Sequence, residues 1–458
     1  MKNNKKPNEK GLSRRSFLSN ATLLGAGGVL GTGSLLHSCS GTDNNKITPL
    51  RPLSEIYIPD LPDKAIDGKP IKAALIGCGS RGTGAAVNFL NAGNDVSIVA
   101  CADLFKDKVD SCRKILKEKN NNEVADDMCF TGFEAYKKAC ELPVDVILIA
   151  TPNLFHPYHL KYAVDQGKHV FVEKPACVDT AGYKTFLVAV KQAQSKGQSV
   201  LTGTQYHHDR PFVESYQKIQ EGYIGQIVSG SVFYNTTPLT PVTRQPGWTD
   251  MEYMIRDFFS WNWLCGDMIL DQLIHWIDVF VWFSHLKPSK VIATGSRIFR
   301  TAGDIYDNFG INFEFEGGVT VSGICRQMYN CDNYRGAVIQ GTKGSWDSKD
   351  FTIRDLNGNE IWKYDAAAAK EKYKTHDMYT LEHVDFISNI RKGKLMNNAE
   401  TTAISSIAAI MARESAYTGK TITWDQINAS TMNLMPEKLA LENVDMSKYN
   451  VIPLPGQK

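Results

Sequence analysis

The 458-residue chain has no C-x-x-C pair and no cysteine–histidine spacing of a zinc site, although it contains ten cysteines. Cys78 and Cys101 lie inside apolar strand-like runs, where a free buried thiol is the expected state. No metal is expected. Neither sign of charge dominates, with 51 basic against 49 acidic side chains. No basic block lies outside the first segment, which argues against nucleic acid as a partner. Internal repeats and low-complexity tracts are also missing. So is a long apolar run: ATLLGAGGVLGTGSLL (21–36) has only sixteen residues, five of them glycine. A membrane-spanning helix needs roughly twenty strongly apolar ones.

What surrounds that run is informative. Four lysines stand in residues 1–10, and SRRSFL follows at 13–18. A positive front, paired arginines, a short apolar middle and small residues describe a twin-arginine export signal over 1–39. Cys39 in LLHSC resembles a bacterial lipoprotein box, despite the unusual His37. The expectation is a protein of the periplasm or cell envelope with a lipid anchor at Cys39.

The remaining length, about 420 residues, exceeds one compact core and suits two. Residues 40–70 carry Pro, Asp and Lys without a period and read as an extended arm. From 71 to 203 apolar strands alternate with helices, as in AALIGCG, VSIVACAD, VDVILIAT and HVFVEKP. That pattern predicts a doubly wound parallel sheet covered on both faces, the Rossmann arrangement. After about 204 the strands are short and partly alternating, with hairpin signals at EGG (316–318) and NG (357–358). Residues 204–435 therefore read as a second α/β domain with an open, mainly antiparallel sheet. Residues 400–418 read as an amphipathic helix that packs back on the first domain, and 436–458 as a tail.

Gly77-Cys78-Gly79-Ser80-Arg81-Gly82 follows a strand and opens a helix, the context in which G-x-G-x-x-G carries meaning. Gly77 suits a tight turn, Gly79 the close approach of a pyrophosphate, and Gly82 close helix–strand packing. The helix N-terminus supplies N–H donors to phosphate. The second strand ends at Asp103, where a carboxylate accepts from ribose hydroxyls and repels the extra phosphate of NADP, favouring NAD. A plain helix cap is the alternative role for Asp103.

Two elements point to chemistry. FVEKPACVD (171–179) places Lys174 at the carboxyl end of a parallel strand. There an ammonium can stabilise an alkoxide formed during hydride loss, or be a solvated surface charge. GDMILDQLIHWIDVFVWF (266–283) reads as a buried helix carrying Asp271, His275 and Asp278 on one face. His275 can take a proton from a carbinol with Asp271 orienting its ring. A structural Asp–His pair or a metal site fits the same spacing.

For the substrate, RQPGWTDMEYMIRDFFSWNW (244–263) interleaves aromatics with charge, Arg256 and Trp261 among them. Such a segment suits a saccharide, whose C–H faces stack on rings. A subunit interface of a homo-oligomer uses the same residue types. In TQYHHDR (204–210), Tyr206 offers a phenol as acid or base and His207 a further contact. Arg326, at a strand end, is a candidate for sugar hydroxyls.

IGCGSRG, ATPNLFHPYHLKYAVDQGKHVFVEKP and the helical D-Q-L-I-H resemble the Gfo/Idh/MocA oxidoreductase family, over residues 71 to about 425. The resemblance implies a catalytic lysine at Lys174 and an Asp-x-x-x-His pair at Asp271 and His275. It puts Asn153 and His156 on the loop beside the nicotinamide, where His156 could equally only cap the next helix. Thr151 and Glu173, beside these positions, complete the candidate cofactor set. Family members are typically cytoplasmic, so an export signal is a departure. The twin-arginine route, as the resemblance implies, carries folded proteins, so NAD can leave inside the fold and must then be reoxidised in place. Three functions follow: a sugar or glycoside oxidoreductase with tightly bound NAD; a redox-neutral NAD-dependent glycoside hydrolase; or a sugar-binding lipoprotein without turnover.

Overall fold

A computed structural model describes residues 49–457. The expected export signal and Cys39 lie outside them. Strands β1 (Ile71–Ile76), β2 (Val96–Asp103), β3 (Cys129–Thr131), β4 (Val146–Ile149), β5 (His169–Glu173) and β6 (Val200–Gly203) form one sheet in the order β3-β2-β1-β4-β5-β6. All neighbouring pairs are parallel. β4 is buried at all four positions, as strands covered by helices on both faces must be. The order reverses between β1 and β4, which opens a crevice at the carboxyl ends of the strands.

The second sheet has nine strands: β7 (Ile227–Thr236), β8 (Pro288–Ser296), β9 (Asn308–Phe315), β10 (Thr320–Gln327), β11 (Tyr334–Gly341), β12 (Gly344–Asp347), β13 (Thr352–Asp355), β14 (Glu360–Lys363) and β15 (Ile422–Thr423). Their order is β14-β13-β12-β11-β7-β10-β9-β8-β15. Only β7 and β10 pair in parallel. One face packs under the helix Ile274–Ser284. Gly230 of β7 makes room for it, since a Cβ there would lie 2.9 Å from the Phe280 ring. The other face shows apolar side chains outward, with Ile292 51% and Ile324 45% exposed.

The helix Ala399–Thr418 is not amphipathic. Ala403, Ile407, Met411 and Arg413 are all fully buried, and its serines are buried with them. Its Ser406 hydroxyl accepts from Ala176 N–H beside the first sheet, and its Ser415 hydroxyl accepts from Ala293 N–H in β8. Small hydroxylated residues made one face look polar. Here they satisfy neighbouring backbone while permitting close packing on every side.

The arm is extended as expected but stitched to the body: Tyr57 Oη donates to Asp385 at 2.7 Å, and Arg210 donates to the Leu61 carbonyl. The tail is likewise held, with Met251 N–H bonded to the Glu442 carbonyl and Tyr306 Oη to that of Pro453.

Candidate active site

A groove of about 840 Å³ opens at the carboxyl ends of β1, β2 and β4, lined in part by Gly77, Gly79, Ser80, Arg81, Asp103 and Thr151. Gly77 has φ +94°, and a Cβ on it would strike the Ala150 carbonyl at 2.5 Å. A Cβ on Gly82 would lie 1.8 Å from the Gly77 carbonyl, so helix and strand touch there. Over Gly79 a Cβ would meet nothing within 4 Å, which leaves space for a phosphate. The helix Ser80–Ala92 has no side-chain cap and no acid in its first turn, so its leading N–H groups suit an anion.

Asp103 accepts from Cys78 N–H at 2.6 Å and from Phe105 N–H at 2.9 Å. Burial pushes its carboxyl above the usual range, against those two N–H groups. These features fit a dinucleotide, with Asp103 placed for the ribose. Tyr136, Phe155 and His159 add an aromatic wall, with Tyr136 and His159 stacked at 4.2 Å. Sequence reading missed this wall because Tyr136, in the helix Ala135–Glu141, meets His159, in the helix His156–Asp165, only in the folded chain.

The other cofactor candidates play indirect parts. Glu173 holds Arg81 at the groove through a 2.8 Å ion pair, while the guanidinium covers the Tyr379 ring. Asn153 is 4% exposed and its amide donates to the Cys265 carbonyl, tying the β4 loop to the segment before Asp271. His156 is 1% exposed and clips two loops together, its ring nitrogens each 2.8 Å from a carbonyl oxygen, those of Pro175 and Thr151. Both side chains point into protein and away from the groove, a correction to their expected cofactor contacts. Beneath the glycine turn, the sulfurs of Cys78, Cys101 and Cys112 lie within 4.8 Å of one another. Hydrogen bonds from the first two thiols pull Cys112 down to about 4.

At the end of β5, Lys174 Nζ meets Asp271 twice, at its backbone carbonyl (2.5 Å) and its carboxylate (3.5 Å). Residues Ile269–Leu273 form a π-turn, a widening of the helix often found at functional sites. Asp271 therefore engages Lys174 and does not orient His275 as expected. The ring Nδ1 of His275 instead meets the Gln205 amide at 3.3 Å. Burial, then the charges of Lys174 and Arg335, hold His275 well below the ordinary histidine range, so it is neutral near pH 7. Tyr206 packs edge-on to His275 at 5.8 Å and stacks on Phe212. Burial raises its phenol, which stays protonated.

Tyr234 and Arg335, which the sequence did not single out, face the same site. They are register partners on β7 and β11, with the guanidinium 4.8 Å over the ring and Tyr234 stacked toward His275. No motif marks them, because only strand pairing brings them here.

Four expected substrate contacts are corrected. His207 is buried, bonded to Asp278 at 2.6 Å and stacked on Trp282, and is a structural pair. Arg326 shares a β10 face with the outward Ile324, while Cys325 and Gln327 face the helix, so its side chain leaves the site. Trp261 is 1% exposed inside an apolar cluster. Arg256 pairs with Asp107 on the rim of the nucleotide groove. The aromatic segment serves the cofactor side.

Residues 71–201 match the family model for the NAD-binding Rossmann fold of the Gfo/Idh/MocA oxidoreductases, and 212–347 match the model for the Gfo/Idh/MocA C-terminal domain. The chain is similar to glycosyl hydrolase family 109 protein 1 of Bacteroides fragilis, 34% identical over 132 residues, 28% of this chain and 27% of that protein. It spans only that 27% of the relative's length. Similarity to the myo-inositol 2-dehydrogenase of Thermotoga maritima is longer, 25% identity over 76% of this chain and 95% of that one. In fold it resembles the scyllo-inositol dehydrogenase of Lactobacillus casei solved with NAD(H) and scyllo-inositol, with a TM-score of 0.58 at 18% identity over 78% of this chain and 99% of that one.

Proposed function

The chain belongs to the Gfo/Idh/MocA oxidoreductase family, and from that premise we propose that it oxidises a ring hydroxyl of a sugar or glycoside with a retained NAD. The observation that carries this reading is the Lys174–Asp271 contact at the end of β5, with neutral His275 close enough to feel the Lys174 charge. NAD, when bound, supplies the hydride acceptor. Neutral His275 accepts the hydroxyl proton. Lys174, held by Asp271, stabilises the developing alkoxide. Tyr206 donates to a neighbouring hydroxyl, and the Tyr234–Arg335 pair offers a ring face and a cation to the sugar.

The export motif SRRSFL supports a location in the cell envelope, and LLHSC supports a lipid anchor at Cys39. Ile292 and Ile324, exposed on the outer face of the nine-stranded sheet, support self-association. Retention of an ammonium and a proton acceptor together argues against a sugar-binding lipoprotein without turnover.

A second reading, a redox-neutral glycosidase cycling through oxidation, elimination, hydration and reduction, is favoured by the local similarity to the family 109 protein. One assay separates the two. Purified protein without added cofactor is given a nitrophenyl glycoside in deuterated water. A single burst of reduced nicotinamide, continuing only with an added carbonyl acceptor, supports the oxidoreductase. Sustained nitrophenol release with deuterium at one ring carbon overturns it in favour of the glycosidase.

A further inference from the structure

We infer that residues 248–264 and the tail 433–449 form a latch over the dinucleotide groove, with Arg256 and Asp107 as its catch, and that this latch slows exchange of the cofactor. The inference rests on the groove being an NAD site. One wall of that groove is foreign to the parallel-sheet unit: Ile255, Arg256, Phe258, Phe259, Met435 and Leu439 line it. A bound dinucleotide would lie between this wall and the glycine turn, so it could not leave until the wall moved.

The wall is fastened at its rim. Arg256 donates from both terminal nitrogens to the two Asp107 oxygens, at 3.1 and 2.9 Å, and from Nε to Glu252 at 2.9 Å. Its guanidinium lies 3.7 Å over Phe105 and 4.8 Å over Trp248. The Arg256 side chain is 13% exposed and Asp107 58%, so the fork is enclosed on the arginine side and open to water on the carboxylate side. Phe105 is the residue whose N–H fixes Asp103, so the catch closes on the same short loop that would hold the ribose.

The tail braces the strap from behind. Asp250 N–H donates to the Asn443 side chain, Val444 N–H returns to Asp250, and Leu434 N–H donates to Asp179. Met251, Met254, Ile255 and Trp261 pack with Phe105 and Leu154 in an apolar cluster separate from the main core, and Met435 and Leu439 lie against it. A satellite cluster of this kind can open as a unit without unfolding the rest. It explains why aromatics and charge alternate in 244–263 although the segment does not face a sugar.

The test follows release directly. Full-length protein loaded with NADH is mixed with excess NAD⁺, and the decay of bound-NADH fluorescence is recorded. Arg256→Met keeps an apolar stem over Phe105, and Asp107→Asn alters a half-exposed position, so the second variant remains informative if the first folds poorly. Each is expected to speed release roughly two- to tenfold, the range for a charge-assisted fork with one partner open to water. The double variant should be no faster than the faster single one. Unchanged release in Asp107→Asn and Arg256→Met overturns the latch and leaves the proposed function standing. Failure of the unmodified protein to retain any nicotinamide overturns both.

Discussion

Lys174 Nζ donates to the backbone carbonyl of Asp271, joining the end of a strand in the parallel sheet to a π-turn that leads into the helix under the nine-stranded sheet. One hydrogen bond thus spans the two halves of the candidate site. The ammonium is fixed by a main-chain oxygen, which no side-chain substitution at 271 removes. The Asp271 carboxylate, 3.5 Å away, adds charge rather than aim.

Lys174→Met and His275→Ala are each expected to lower turnover by about a hundred- to ten-thousandfold, the usual weight of one charge stabiliser or general base. Bound nicotinamide, measured by release on denaturation, should stay at the unmodified level. Asp271→Asn should do less damage than Lys174→Met, because the carbonyl contact survives. Equal losses would place the carboxylate itself in proton transfer.

Activity should be flat through neutral pH, because His275 is held well below its ordinary value and is lost as a base only when acid protonates it. Arg335→Gln removes one of the charges that depresses it. The acid limb of the kcat/KM profile should then move to higher pH. A limb that stays in place would mean that another group reports it.

Stability should fall on the acid side for a related reason. Burial lowers His159 to about 3 and His156 to about 4, the latter against two carbonyl oxygens that favour the charged ring. The unfolded chain therefore binds protons first, from about pH 6.5 downward. The folded state loses stability as pH drops from there toward 4. Thermal melts at pH 7.5, 5.5 and 4.5 should show a falling midpoint. A constant midpoint would show these rings to be charged in the fold.

Gly82→Val should abolish cofactor retention, since even a Cβ at that position would overlap the Gly77 carbonyl. Asp103→Ser, by contrast, should keep a bound dinucleotide but narrow the preference for NAD over NADP, read as the ratio of the two Kd values.

Trp261→Ala should act on stability and hardly on substrate KM. Its indole is fully enclosed, so truncation is expected to cost about 3–5 kcal/mol by denaturant unfolding. A large rise in KM with unchanged stability would return Trp261 to the sugar pocket.

The glycine turn, Asp103, Lys174 and the Asp271–His275 spacing were legible in the sequence because each depends on local chain geometry. A turn needs glycine, a strand end presents its last side chain, and a helix repeats its face. The alternation of apolar strands and helices determined the parallel sheet for the same reason, and the short alternating strands after 204 the second one.

Only the tertiary structure decided which charged and aromatic residues gather around Lys174 and His275. Tyr234 and Arg335 are 101 residues apart in numbering and meet through the pairing of β7 with β11. His207 has the chemistry of a ligand but spends its Nε2 on Asp278 and a ring face on Trp282. Arg256 and Trp261 look like sugar contacts until packing carries their segment to the nucleotide rim. Residue type states what a side chain can do. Its partner is set by register, crossover and burial, which depend on contacts distant along the chain.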